Sequence, residues 1–315
     1  MRGVGSAAVT ADGDGPLPVV VAGPDLPLGR RIELPGRGTT FVREVEGPAG
    51  APTVLLLHGL LASGGLNWFQ AFAPLSEHFR VIAPDHRGHG RGLRTRSRFR
   101  LADCADDAAA LLDVLGTGPV IAVGYSMGGP IAQLLWKRHP ETVAGLVLGA
   151  TSDRFVPVSR ERLVFVTAMS AAIGTSRFGG IVTRMPSRAL RSRATNAAHE
   201  RPDSLRAWAA AEMRRHDWRM VAEAARAIGV YDASSWIGEI DVPTTILVTT
   251  EDKAISPLEQ MRLLLAIPGA ELQRLDDGHT VCARARFGPP LVEACLSVAS
   301  RIDRTVPNAA AAPIS

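Results

Sequence analysis

Lysine is almost missing from this chain: among 35 Lys and Arg residues, only Lys137 and Lys253 are lysine. The arginines are scattered and form no basic block, so the net charge of +4 does not point to a nucleic-acid partner. Cysteine is scarce too. Cys104, Cys282 and Cys295 are an odd set without metal-type spacing, which excludes a disulfide framework or zinc module and leaves buried thiols. No stretch approaches about 18 uninterrupted apolar residues, so no transmembrane helix is expected. Residues 1–21 lack the apolar centre of a signal peptide, and internal repeats are absent. From these gaps we expect a soluble, cytoplasmic protein.

What is present is a core. A chain of 315 residues with 46% hydrophobic content is long enough to bury one large α/β domain, with or without an insertion. Residues 1–28, rich in Gly, Pro, Ala and Asp, read as a loose arm. Residues 31–34 and 39–45 alternate across a Pro-Gly-Arg-Gly turn, which predicts an antiparallel hairpin at a sheet edge. Apolar runs at 53–57, 80–84, 120–123, 143–148 and 244–248 predict buried strands, with another strand at 271–274. Helical periodicity lies between them, at 69–78, 101–115 and after Gly129, and again at 289–302. This rhythm predicts a mostly parallel, doubly wound sheet. From 152 to 240 the pattern becomes helical throughout, with segments at 162–173, 203–215 and 218–228, which we read as an inserted cap. The expected plan is therefore a core of 29–151 and 241–303, a helical cap of 152–240 and a tail of 304–315.

Within this plan one stretch stands out. Val120 to Val123 leads into Gly124-Tyr125-Ser126-Met127-Gly128, and Ile131, Leu134, Leu135 and Arg138 follow at helical spacing. A serine on so sharp a strand-to-helix turn needs a neighbour without a side chain two residues to either side. Pro130 is tolerated in the first helical turn, where amides lack intrahelical partners.

This pattern resembles the nucleophile elbow of the α/β-hydrolase family, esterase-like branch with a helical cap, over residues 31–303. The resemblance implies a nucleophile, acid and base in that chain order. Ser126 is then the nucleophile. Asp252, in Thr249-Thr250-Glu251-Asp252-Lys253 with Ser256-Pro257 after it, aligns with the acid, although Thr250 replaces the usual glycine. Asp153, just after the strand that follows the elbow, is an alternative acid that some members use. His279, in Asp276-Asp277-Gly278-His279, aligns with the base; the other seven histidines lie in loops, at helix ends or in the cap. The family's oxyanion donors fall on the backbone amides of Leu60, in His58-Gly59-Leu60, and of Met127. The stretch Asp85-His86-Arg87-Gly88-His89-Gly90 resembles the family's Asp-x-Arg-Gly-x-Gly loop, a structural element.

The resemblance implies a serine hydrolase of the carboxylesterase or lipase type, requiring no metal and no other cofactor. The substrate is expected to be a lipophilic ester, with Trp68, Tyr125, Phe155 and Trp208 as pocket candidates. The same triad serves carbon–carbon bond hydrolases, thioesterases and acyltransferases, and a ligand receptor that retains the triad is the non-enzymatic alternative. A serine nucleophile argues against branches that need a carboxylate there. Arginines 87, 91, 94, 96, 98 and 100 form either a solvated face or an attraction for an acidic ligand.

Overall fold

Thr53–Leu57 and Val120–Tyr125 are buried at every position, as strands covered on both faces must be. They pair in parallel, from Val54 opposite Ile121 to Leu57 opposite Gly124. Around them the computed structural model, which describes residues 24–155 and 204–305, builds one eight-stranded sheet. In chain order the strands are β1 (Gly29–Leu34), β2 (Gly38–Val45), β3 (Thr53–Leu57), β4 (Arg80–Pro84), β5 (Val120–Tyr125), β6 (Val143–Gly149), β7 (Thr244–Thr249) and β8 (Glu271–Leu275). Across the sheet the order is β1-β2-β4-β3-β5-β6-β7-β8. The expected hairpin is present at the edge, with Arg31 opposite Phe41, and β2 joins β4 antiparallel. The remaining pairings are parallel.

Side chains alternate along each central strand and so feed two cores. Leu55 and Leu57 of β3, with Val120 and Ala122 of β5, face α3 (Leu101–Leu115) and α4 (Gly128–Arg138). Val54, Leu56, Ile121, Val123 and Tyr125 face α1 (Gly64–Trp68), α2 (Phe72–Ser76) and α8 (Gly288–Thr305). Each fully buried leucine contributes about 2 kcal/mol through the apolar surface it withdraws from water. The mostly parallel, doubly wound α/β sheet is thus as expected.

Of the expected cap, α5 (Leu205–Met213) and α6 (Trp218–Val230) are described. The helix expected at 162–173, most of the arm and most of the tail lie outside the described residues. Two helices differ from expectation. The first helical turn after β3 begins at Gly64, with the Ser63 hydroxyl accepting from the Leu66 amide. The helix α7 (Pro257–Ala266) is additional, and Ser256 and Glu259 form a reciprocal capping box at its start.

The chain passes from β3 to β4 on one side and then to β5 on the other, so the crevice beyond the C-terminal ends of β3 and β5 is a topological switch point, where open α/β sheets place their ligands.

Candidate active site

Ser126 directly follows β5 and has φ of +53°, a left-handed conformation that costs a non-glycine residue about 1–3 kcal/mol. The fold tolerates it because neighbouring side chains are missing where space runs out. A Cβ on Gly128 would lie 1.9 Å from the Leu57 carbonyl oxygen, and one on Gly124 would lie 2.4 Å from that of Gly128. The turn is tied down by the Ser126 amide donating to Gly149 O at 3.0 Å and the Gly129 amide donating to Ser126 O at 2.9 Å. As a result the Ser126 hydroxyl projects from the start of α4.

Ser126 Oγ lies 3.0 Å from His279 Nε2, and His279 Nδ1 lies 2.8 Å from Asp252 Oδ2. Ser126, Asp252 and His279 thus converge from β5, from the loop after β7 and from the loop after β8. The carboxylate is fully enclosed and held from several sides. Its Oδ1 accepts from the Ala254 and Ile255 amides at 2.8 and 2.9 Å, and its Oδ2 also accepts from the Thr249 hydroxyl at 2.8 Å. Burial pushes the Asp252 carboxyl up, but the hydrogen bonds from His279, Ile255 and Thr249 and the charge of His279 outweigh it, and the net shift is downward. The loop geometry is secured without the usual glycine, since the Thr250 amide donates to Leu275 O and its hydroxyl to Asp276.

Asp153 is elsewhere. It is buried, and its Oδ1 accepts from the Ser152 hydroxyl. Asp277 is occupied by Arg284 and Arg286.

The Leu60 loop reaches the same place. A Cβ on Gly59 would stand 3.3 Å from Ser126 Cβ, so the backbone there passes the serine closely. The Gly59 amide is engaged by Asn67 Oδ1 at 3.0 Å, while the Leu60 and Met127 amides donate no hydrogen bond among the described residues. Met127 caps the N-terminus of α4, where the helix dipole favours negative charge. His58 Nε2 accepts from the His86 amide at 2.9 Å, joining the loops after β3 and β4. Asp85 joins them again by accepting from the Gly64 and Arg91 amides, in keeping with a structural role for its motif.

Of the four pocket candidates, Trp68 and Tyr125 belong to the core. Trp68 is fully buried, stacked on Phe287 at 5.9 Å and edge-on to Tyr125 at 6.2 Å, because it belongs to the core beneath the sheet. Tyr125 is also interior: alternation along β5 turns it away from the serine's side, and its hydroxyl donates to the His279 carbonyl at 2.6 Å. Tyr125 therefore supports the histidine loop from below, a role its position next to Ser126 did not disclose. Trp208 is buried edge-on to Phe69, and Phe155 is half-buried. A cavity of about 700 Å³ between α3, α4 and α6 includes Phe99, Leu134, Tyr231 and Trp236 in its walls but neither Ser126 nor His279. Among the described residues no cluster of three or more His, Cys, Asp or Glu could hold a metal, and no helix is long and apolar enough to cross a membrane.

Comparison with known proteins follows the same lines. Over 116 residues the chain is 42% identical to the magnesium-chelatase 30 kDa subunit of Rhodobacter capsulatus, a match covering 36% of this chain and 39% of that protein. The chain thus matches well under half the length of that relative. It is 30% identical to a poly(3-hydroxyalkanoate) depolymerase of Ectopseudomonas oleovorans, over 84% of this chain and 90% of the relative. Its fold is similar to that of a malate-bound thermophilic esterase from Thermogutta terrifontis, with a TM-score of 0.67 and 23% identity, covering 87% of this chain and 99% of the other. The family model for the alpha/beta hydrolase fold matches residues 52–283, from just before β3 to just beyond His279. With more than half of its length inside that match, the chain belongs to the alpha/beta hydrolase fold family.

Proposed function

We propose that this hydrolase cleaves a carboxylic ester, a small or medium lipophilic one, through an acyl-enzyme on Ser126. The observation that carries the reading is the unbroken line from Ser126 Oγ through both ring nitrogens of His279 to the enclosed Asp252 carboxylate. A serine hydroxyl is a poor nucleophile until a base within hydrogen-bond reach can take its proton. In the proposed mechanism Ser126 Oγ attacks the carbonyl carbon as its proton passes to His279 Nε2. Asp252 holds the ring by Nδ1 and balances the imidazolium charge. The oxyanion is met by the Leu60 and Met127 amides, fixed donors that need no reorganisation as charge develops. Collapse of the tetrahedral intermediate breaks the C–O bond, and His279 returns the proton to the departing alcohol. Water then attacks the acyl group by the same route, with His279 again taking and returning one proton, and Ser126 is restored.

The choice of an ester is supported by the depolymerase relative, whose named polymer is joined by ester bonds. A relative from Agrobacterium fabrum, 28% identical over 76% of this chain and 90% of its own length, is named a putative carbamate hydrolase, so a carbamate belongs among the test substrates. A fluorophosphonate probe is expected to add one adduct, on Ser126, by intact-mass and peptide analysis. p-Nitrophenyl esters of rising chain length, assayed beside a thioester, a carbamate and a diketone, are expected to turn over fastest. Turnover of the diketone or carbamate alone would overturn the ester assignment, and a folded but unlabelled protein would overturn the serine mechanism.

A further inference from the structure

A second concave surface lies over the antiparallel edge of the sheet. Arg31 of β1, Thr39 of β2, the loop residues Gly90, Arg91, Gly92 and Arg94, and Arg215 after α5 enclose about 500 Å³. Neither Ser126 nor His279 borders this space. Four of these seven lining residues are arginine, and the carboxylate supply does not match them. Glu212 takes Arg91 in a two-pronged contact, 2.8 Å on each oxygen, and also accepts from Arg215 Nε at 3.2 Å. Arg94 donates to carbonyl oxygens, those of Gly90, Gly92 and Arg215, and forms no ion pair among the described residues, although the charges of Asp217 and Asp85 act on it from further off. Arg31 has no carboxylate partner among the described residues. Arg43 adds a further cation behind the wall: its guanidinium and that of Arg91 lie over the same Phe41 ring, at 5.3 and 5.0 Å from the centroid. The nearby acids are committed elsewhere. Asp85 accepts the Gly64 and Arg91 amides, and Asp217 caps α6 through the Arg219 and Met220 amides.

Elsewhere Arg80, Arg87 and Arg219, largely withdrawn from solvent, each meet a carboxylate: Glu44, Asp103 with Asp107, and Glu223. Arg31, Arg94 and Arg215 instead stand exposed around one concavity, with Glu212 as the one carboxylate in contact with its arginines among the described residues. Four arginines around one concavity, sharing one carboxylate in contact, present an excess of positive charge that suits a compact oxyanion bearing several negative charges. We propose that the cavity walled by Arg31, Arg91, Arg94 and Arg215 binds an anion of the phosphate class, free or as the phosphoryl group of a small molecule. The bound anion bridges three segments: the β1–β2 edge, the loop after β4 and the turn after α5. It is an effector rather than the reacting acyl group, and the assignment does not depend on the ester hydrolase reading.

The test is calorimetric titration of the whole protein with inorganic pyrophosphate, inorganic phosphate and glycerol 3-phosphate at fixed ionic strength, with chloride as the control. Saturable binding is expected, tighter for pyrophosphate than for phosphate. Loss of one charge-assisted contact weakens binding about tenfold or more, so Arg31→Gln and Arg94→Gln are expected to raise the Kd by that factor, while Arg96→Gln leaves it unchanged. Arg31 is an exposed strand residue, so its variant remains decisive if Arg94→Gln disturbs the loop. Glycerol 3-phosphate binding as tightly as phosphate supports the small-molecule phosphoryl form, and phosphate binding alone supports the free anion. Heat that follows ionic strength whatever the anion would reveal an adventitious ion only, and unchanged affinity in both variants would equally overturn the site.

Discussion

His279 and His89 both occupy loops beyond the sheet, yet one stands between a hydroxyl and a carboxylate and the other among rings. His89 is buried, lies 5.4 Å from both His58 and His216 by ring centroid, and has an Nε2 with no partner. His86, 4.2 Å from His58, shares the same environment, and its Nε2 is likewise unpartnered. Burial, reinforced by neighbouring imidazoles, presses His86 down to about 3 and His89 to about 4. His279 is partly open to solvent and has an acid on one nitrogen and the serine on the other. The comparison teaches that partners, not position, equip an imidazole to carry a proton, the role proposed for His279. Four histidines packed together without an acid in contact remain neutral spacers that shape the loop behind Leu60.

The largest expected effect falls on the partnered site. Ser126→Ala is expected to lower kcat/KM on the best p-nitrophenyl ester by about 10⁶-fold with an unchanged melting curve, since alanine keeps the backbone conformation. Asp252→Asn comes next, at about 10⁴-fold, because the amide neither balances the imidazolium nor fixes the ring tautomer. Substitutions in the ring cluster should instead act through folding. If His89→Asn lowered kcat as much as Asp252→Asn in a protein of unchanged stability, the comparison would break.

Acid separates the two sets in another way. A histidine whose folded pKa lies below its unfolded value is stabilising while neutral and loses that contribution as pH falls below about 6.5 towards the folded value. For His89, held at about 4, the loss by pH 5 is about 2 kcal/mol. Urea midpoints measured from pH 7.5 to 5 should fall accordingly, and a His89→Asn variant should show a flatter profile. The smallest effect is expected for Tyr125→Phe, which removes one hydrogen bond to the His279 carbonyl and costs about 1 kcal/mol, or a few-fold in kcat, without altering KM.

Much of this was legible in the sequence because it rests on local rules. The run into Gly124 and Gly128 predicts a strand, a strained turn and a helix, and each is present. The hairpin and the parallel strands follow from alternation and from fully apolar runs. Ser126, Asp252 and His279 follow from the family resemblance of the motifs that carry them, and they meet within hydrogen-bond distance. Tyr125 and Trp68 were not legible as core residues, because the side to which a strand residue turns is decided by what packs above and below it. The helix α7 has its signal in Ser256-Pro257-Leu258-Glu259, a capping box that directly follows the acid loop. The ring cluster was hidden for a different reason: His58, His86, His89 and His216 are brought together only by tertiary contacts, across as many as 155 residues between His216 and Leu61.

The position of β8 has a consequence for how this protein fails. Among the described residues it is the last strand along the chain and is bonded only to β7, and most of its residues are exposed. Ser126, in contrast, leaves the middle of the sheet. Fraying of one outer ribbon therefore carries His279 away while the serine stays in register. On slow heating, enzymatic capacity should vanish several degrees before the far-ultraviolet circular dichroism collapses. If the proposed mechanism holds, a growing chain is chemically inert until the segment bearing residue 279 has emerged and docked.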